Sequence, residues 1–323
     1  MTSTTWKLRP FDGSDADYTE RVRVTNAYLP DSPNTVEMRR VEDGLRTPGS
    51  NAAEWLAEAD GRVVGYGLIM NSVWSQTPGR RFVWPVSEPE WIGTLAHRDF
   101  IEFLVNEAQG DGITKLESIA DDRILGTGAL LESLGFVSEQ RNPVTKLDLD
   151  TFDADRWRAR EAELNSAGFR FLTVAEVARE DPNGYIPRIH ELVVDLVRDV
   201  PSPDPIEMEP VEEFYRYAAS PAWDPESELI ALEGDHMVGR TGLKPSPADG
   251  RYGNTSLTGV RRSHRRRGLA TALKAIHLAR ARQRGIQWVF TDNEKDNPML
   301  QINLQLGFKE VYALHIYGRH LSA

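Results

Sequence analysis

Two stretches of this 323-residue chain echo one another closely enough to constrain its architecture before any element is assigned. ADGRVVGYGLI (residues 59–69) and EGDHMVGRTGL (residues 233–243) are each a tight turn followed by a strand of small residues. Each is trailed by Leu-Gly-Phe, at Leu134, Gly135 and Phe136 in one case and at Leu306, Gly307 and Phe308 in the other. Gly65 lies 70 residues before Gly135, and Gly239 lies 68 before Gly307. Val-Gly and Leu-Gly-Phe are common words, but two landmarks keeping nearly constant spacing imply two copies of one fold. The length suits two domains, each able to bury its own core.

Between its landmarks the second copy carries LTGVRRSHRRRGLATAL at 257–273. Leu257, Thr258 and Val260 are strand-like, while Leu269, Ala272, Leu273 and Ile276 recur at helical spacing. A basic loop therefore joins a strand to a helix N-terminus. The first four N–H groups of a helix lack internal partners and its dipole adds about half a positive charge there, so an anion is favoured. Gly268, with no side chain, lets a phosphate approach the backbone. Five of the seven residues at 261–267 are arginine, in a chain of net charge −11. Such a cluster is expected to repel itself unless an anion compensates it. GxxxxGK[ST] is absent and no GxGxxG opens a helix after a strand, which argues against a nucleoside triphosphatase. The matching stretch of the first copy reads VSEPEWIGTLA at 86–96. Glu88 and Glu90 would repel a phosphate, Pro89 removes a donor and no arginine replaces them. Only the second copy is expected to bind a phosphorylated ligand.

Arg265, Gly268 and Ala270 spell RxxGxA, and TDNEKDNPMLQINLQLGF follows about one helix and one strand later. Together they resemble the signatures of the GNAT superfamily, the acyl-CoA-dependent N-acetyltransferases. The first is [QR]xxGx[GA] between a strand and a helix; the second is a strand, an Asn-bearing loop and a short helix ending in Leu-Gly-Phe. The resemblance implies an α/β (α+β) chain of two tandem GNAT folds, each a mixed, mostly antiparallel central sheet flanked by helices. The layout is similar to that of the mycothiol synthases. A degenerate domain without a coenzyme loop would occupy 1–150, and an acetyl-CoA-binding domain 151–323. Acetyl-CoA would be the acyl donor, and its acetyl group would pass to the amine of a small molecule by direct attack in a ternary complex. By the same resemblance, Thr258 and Val260 would pair with the pantetheine arm. Arg265, Arg266, Arg267, Gly268, Leu269, Ala270 and Thr271 would hold the pyrophosphate. Asn297 matches an asparagine aimed at the pantetheine arm, and it fits a plain helix N-cap as well.

The expected elements of the first copy are strands at 6–10, 53–58, 62–70, 81–86 and 136–149, with helices at 15–29 and 94–108. A charged, helical link at 151–168 leads to a second copy with strands at 169–174, 229–233, 237–243, 252–260 and 286–291. Ile186, Ile189, Leu192, Val193, Leu196 and Val197 mark one apolar helix face, and a short helix is expected at 208–219. The helix after Gly268 stops at Gly285, and Asn297 with Pro298 opens a last one that Gly307 ends.

Acyl transfer to an amine needs a rigidly held thioester, a donor facing the developing oxyanion and a route for the surplus proton. It needs no metal and no covalent nucleophile. The proton route is where the resemblance thins. Relatives place a Tyr four residues before the Gly of Leu-Gly-Phe, but Asn303 stands there and cannot deliver a proton. They often carry a Glu on the strand before the phosphate loop, where this chain has Asn254, Thr255, Ser256 and Thr258. Asp292 and Glu294, with Tyr312 and Tyr317, remain; Asp292 and Tyr312 stand as the catalytic candidates, with a water chain to solvent as the alternative. His264, inside the loop, suits a supporting contact, and the other histidines lack metal-ligand spacing. The missing acid also motivates a rival reading, a non-catalytic acetyl-CoA sensor. Nucleic-acid binding through the arginines is disfavoured by the acidic total. Zero cysteines exclude disulfides and thiol catalysis. No apolar run approaches the roughly 18 residues of a membrane helix and the N-terminus is too polar for a signal peptide, so a cytoplasmic location without a membrane partner is expected. Acid-rich stretches at 199–213 and 88–90 suggest a cationic acceptor bound between the copies. The oligomeric state is not legible.

Overall fold

Each Val-Gly stretch of the repeat becomes a central strand crossed at close range by a helix. The computed structural model describes residues 6–47, 49–72, 74, 75, 77–202, 206, 208 and 210–321. The first repeat runs β1 (Trp6–Pro10), α1 (Asp15–Tyr28), α2 (Val36–Gly44), β2 (Ala53–Ala59), β3 (Arg62–Asn71), β4 (Arg80–Ser87), α3 (Leu95–Glu107), β5 (Lys115–Asp121), α4 (Thr127–Ser133) and β6 (Val137–Asp148). After α5 (Asp155–Ser166), the second runs β7 (Phe169–Thr173), α6 (Val174–Glu180), α7 (Tyr185–Val197), α8 (Val211–Ala218), β8 (Glu228–Glu233), β9 (His236–Pro245), β10 (Tyr252–Thr255), β11 (Gly259–Val260), α9 (Leu269–Gln283), β12 (Trp288–Asp292), α10 (Pro298–Gln305) and β13 (Lys309–His320).

These elements gather into two compact units. Unit one takes in residues up to Pro143 together with Tyr312–Ala323, and unit two takes in Val144–Pro201 and Ile206–Val311. In unit one β1 to β4 pair antiparallel in succession, β4 runs parallel to β5, and β13 pairs antiparallel with β5 from Leu314 opposite Asp121 to His320 opposite Lys115. In unit two β7, β8, β9 and β10 pair antiparallel, β10 runs parallel to β12, and Val144–Asp148 of β6 pair antiparallel with β12. A division after residue 150 follows the order of the repeats; the compact units follow the pairing of these two closing strands. Each unit is thus a mostly antiparallel sheet with one parallel pair and flanking helices, the architecture expected.

The repeated glycines have a packing reason. A Cβ on Gly65 of β3 would lie 3.1 Å from Phe100 Cε1 of α3, and one on Gly239 of β9 would lie 3.0 Å from Leu273 Cδ1 of α9. Phe100 and Leu273 are buried, each contributing about 2 kcal/mol of transfer free energy that a wider spacing would forfeit. The glycines of both Leu-Gly-Phe words follow helix ends in the left-handed region, at φ 85° for Gly135 and 100° for Gly307, where a side chain would be strained.

Some elements escape the sequence pattern. Strand β5 reads KLESIAD, yet Lys115 and Glu117 are buried, with Lys115 Nζ 2.8 Å from Glu139. Paired charges inside a sheet hide its alternation. The short helices α2, α4 and α6 were likewise not expected, and the stretch expected as one strand at 252–260 is broken into β10 and β11. No helix of the described residues is long and apolar enough to cross a membrane.

Candidate functional site

The break between β10 and β11 makes the site. β10 pairs with β12 only from Tyr252 opposite Trp288 to Asn254 opposite Phe290. Residues 256–258 then leave the regular strand, and β11 rejoins β9 alone, with Gly259 opposite Arg240 and Val260 opposite Gly239. Two parallel strands that part in this way leave backbone and side chains facing a gap. A cavity of about 710 Å³ lies there. Thr255 to Val260 line it from one side and Thr291, Asp292, Asn293 and Asn297 from the other, with Arg265, Arg266, Gly268, Leu269, Ala270 and Thr271 joining them. Of the coenzyme-holding residues expected from the sequence, all but Arg267 line this one cavity.

The loop delivers its backbone donors through two left-handed residues. Arg266 has φ 60° and Gly268 φ 74°; for arginine that conformation costs on the order of 1 kcal/mol. Gly268 is the N-cap of α9 and no side chain caps this helix, so its first-turn N–H groups are left without a side-chain acceptor. A Cβ on Gly268 would come within 2.7 Å of Arg160 Nη2, whose guanidinium donates to the Arg267 carbonyl. Glycine is required here by both φ and crowding from α5, in addition to any ligand's approach.

The arginines do not wait for an external anion, which corrects the sequence expectation. Arg261 donates to the Met237 carbonyl (3.0 Å) and pairs with Glu191 (2.9 Å) and Asp195 (3.2 Å) on α7. Arg262 and Arg265 both bind the Asp199 carboxylate, which is held at about 2, first by the Arg262 hydrogen bond and further by Arg265. Arg267 reaches Glu233 at 3.3 Å and lies over the Phe169 ring at 4.8 Å. Glu233 is held below the usual carboxylate range, chiefly by its bond with His264. Arg266 alone of the five makes no such bond among the described residues. The acid-rich stretches are affected in the same way. Asp199 is engaged, Glu88 in unit one is buried against Arg23 and Arg62, and Asp204, Glu207 and Glu209 lie outside the described residues. Neither Asp199 nor Glu88 is a free carboxylate, so these two groups drop out of the electrostatic motive for a cationic acceptor.

The proton-transfer candidates separate. Asp292 is exposed and lines the cavity. Tyr312 belongs to unit one, where the Arg123 guanidinium lies 3.4 Å from its ring centroid, and it does not line the cavity. Tyr317, also in unit one, donates to Glu132 at 3.2 Å, and Glu294 accepts the Asp296 N–H at 2.8 Å. Asn297 accepts the Met299 N–H at 2.9 Å: it is a helix cap that still lines the cavity with an amide NH₂ to offer. Asn303 is fully buried, donating to Asn293 Oδ1 at 2.6 Å while its own Oδ1 has no partner. Sequence reasoning missed Lys274, which lines the cavity from α9. It is 2% exposed, and burial pushes its amine down to about 7. Its signal was present: a lysine set between Leu273 and Ile276 on an apolar helix. It missed Glu228 too, a buried carboxylate held by Arg240 and bonded to Ser256 of the cavity wall, whose pKa burial pushes up.

Residues 193–308 match the model of the acetyltransferase (GNAT) family. Among solved structures, a tandem GNAT protein from the clavulanic acid biosynthesis pathway aligns over 99% of this chain and 99% of its own at 16% identity, with a TM-score of 0.73. A GCN5-related N-acetyltransferase from Sphaerobacter thermophilus aligns over 98% and 95% at 19% identity, TM-score 0.66. An acetyltransferase of the GNAT family from Colwellia psychrerythraea aligns over 98% and 100% at 10% identity, TM-score 0.60. At such identities the likeness is one of fold. No curated protein sequence matches the chain.

Proposed function

From a chain that carries a GNAT-family domain at residues 193–308, we propose an acetyl-CoA-dependent N-acetyltransferase acting on the amine of a small molecule. One observation carries the reading. The parting of β10 and β12, the uncapped N-terminus of α9 and the arginine loop converge on a single cavity of about 710 Å³. The residues present fit the donor. First-turn N–H groups of α9 with Arg265 and Arg266 would hold the pyrophosphate. Thr258 and Val260, where the strand breaks, would receive the pantetheine arm, with the Asn297 NH₂ opposite. The thioester supplies the activated acyl group, and the protein supplies proximity and orientation. We assign this role to the second repeat alone and read the first as a copy without a coenzyme loop.

Calorimetry with acetyl-CoA should return about one site per chain. Free thiol should then be followed with polyamines, aminoglycosides, amino acids and protein-tail peptides, at low and moderate salt. Turnover weakened by salt supports a cationic acceptor; turnover indifferent to salt leaves a neutral one. A second reading, an acetyl-CoA sensor, has one observation in its favour: the buried amide of Asn303 offers no acid. Tight coenzyme binding with no thiol release across the panel would establish it instead.

A further inference from the structure

Lys274 stands in the second turn of α9, on the cavity wall and 2% exposed. Among the described residues its ammonium has no hydrogen-bond or ion-pair partner, and the Phe308 ring centroid lies 5.8 Å away. Leucine would fill such a position at lower cost, because removing an ammonium from water without a partner costs several kcal/mol. Lysine is almost never fully buried unless paired. Leu273 beside it shows what the core alone selects. A lone buried amine facing a cavity is therefore placed for something that enters the cavity.

The other titratable groups nearby are engaged or unsuited. His264 is bonded on both ring nitrogens, to Ser263 and Glu233. Asp199 is held by Arg262 and Arg265 at about 2 and is no base near neutrality. Glu228 on β8 is clamped by Arg240 on β9. His277, one turn along α9, is pushed down to about 3 by its own burial and stays neutral. Asp292 is exposed and Arg266 permanently charged. Lys274 is held near 7 by burial alone, the range in which an amine takes and returns a proton with least penalty.

We propose that Lys274 Nζ is the proton-transfer group of the acyl transfer, an inference that rests on the acetyltransferase reading. The acceptor first loses one proton to water, and its nitrogen lone pair then forms a bond to the thioester carbonyl carbon, whose π pair moves to oxygen. Neutral Lys274 takes one proton from the nitrogen, now cationic. As the oxyanion collapses the C–S bond breaks, sulfur keeps the pair, and the Lys274 ammonium protonates the thiolate. The products are one amide, one thiol and one proton in water, with the lysine neutral again.

The test measures thiol release from acetyl-CoA with hydrazine and with spermidine, from pH 5.5 to 9. It compares the wild type with Lys274→Met and Lys274→Arg, alongside acetyl-CoA affinity by calorimetry. Lys274→Met should keep that affinity within about threefold, lose on the order of 10²–10⁴-fold in kcat and lose the rising limb near pH 7. Lys274→Arg, which cannot be deprotonated, should be equally impaired. Full activity in Lys274→Met, or rescue by arginine, would overturn the inference while leaving the enzyme reading intact. So would a wild-type profile with no limb between pH 6 and 8, which holds even if a variant fails to fold. A wild type that binds no acetyl-CoA, or binds it and releases no thiol with either amine, overturns the reading and this inference with it.

Discussion

The loop at 86–96 in unit one and the loop at 260–271 in unit two begin with the same backbone hydrogen bond and opposite charges. The Glu88 N–H donates to the Val64 carbonyl at 2.9 Å, and the Arg261 N–H donates to the Val238 carbonyl at 2.8 Å. Val64 and Val238 each precede the landmark glycine of their copy. In unit one the loop carboxylate meets Arg23 of α1 and Arg62 of β3; in unit two the loop arginine meets Glu191 and Asp195 of α7. The ion pair is inverted, yet both versions are satisfied internally. The charge of this first residue therefore does not decide whether a loop can take an anion. In the proposed reading the helix that follows does. In unit one Thr94 accepts the His97 N–H at 3.2 Å and His97 Nδ1 accepts the Gly93 N–H at 3.2 Å, so donors at the helix start are spent on side chains. Burial pushes His97 down to about 4, which keeps it a neutral acceptor at physiological pH. In unit two Gly268 caps nothing and the donors stay open. In the proposed reading, the pyrophosphate site arises by withholding a cap.

The largest expected effect follows from reversing charge where that contrast is strongest. Arg265→Glu with Arg266→Glu should weaken acetyl-CoA binding by about 4 kcal/mol, the loss of two charge-assisted contacts plus new repulsion. Calorimetry on the wild type should find about one site per chain; a stoichiometry of two, or undiminished binding in the variant, breaks the comparison.

Gly268→Val should come next, at about 2–3 kcal/mol. A β-branched residue resists a φ of 74° and its Cβ would displace Arg160. A melting curve reads the strain and calorimetry reads the binding. If both are unchanged, the left-handed turn is not what presents the donors.

Removing the inverted pair in unit one should cost less. Glu88→Ala leaves Arg23 and Arg62 half exposed and able to find water, so about 1–2 kcal/mol of stability is expected to be lost. Acetyl-CoA stoichiometry should remain near one, because Thr94 still occupies the helix start. Gain of a second site would show that charge, and not the cap, separates the two loops.

The smallest change should be a gain. Asp199→Asn frees Arg262 and Arg265 from a full negative charge that an incoming phosphate must otherwise displace. Acetyl-CoA affinity should tighten by up to about tenfold, or about 1.4 kcal/mol. Weaker binding in this variant would mean that Asp199 positions the arginines instead of competing for them. Asp199 is depressed in the folded protein, so its stabilising contribution is present above the unfolded carboxylate range and is lost only as pH falls toward about 2.

The residues that were legible in advance are those whose requirement is local. Gly268 must adopt positive φ, and Asn297 and Pro298 open a helix; each leaves its mark within a few positions of the chain. Arg267 was read as part of the cradle because it sits in the run of arginines, but its guanidinium turns to Glu233 and Phe169. Tyr312 is a candidate because β13 follows the site in sequence, whereas it belongs to unit one, where β13 pairs with β5 from Leu314 onward.

Sequence alone was sufficient for the two-copy architecture, the helix start at Gly268 and the contrast between the loops. Those features depend on backbone conformation, spacing and charge type, which neighbouring residues carry without help from elsewhere. Tertiary structure decided three further things. It parted β10 from β12, because β11 returns to β9 by long-range pairing that the uniform run at 252–260 does not announce. It neutralised the arginines with carboxylates 34 to 70 positions away. It also enclosed Lys274, whose basicity depends on what covers it: the same residue on an exposed helix face would be an ordinary ammonium, and only packing and the cavity wall remove it from water.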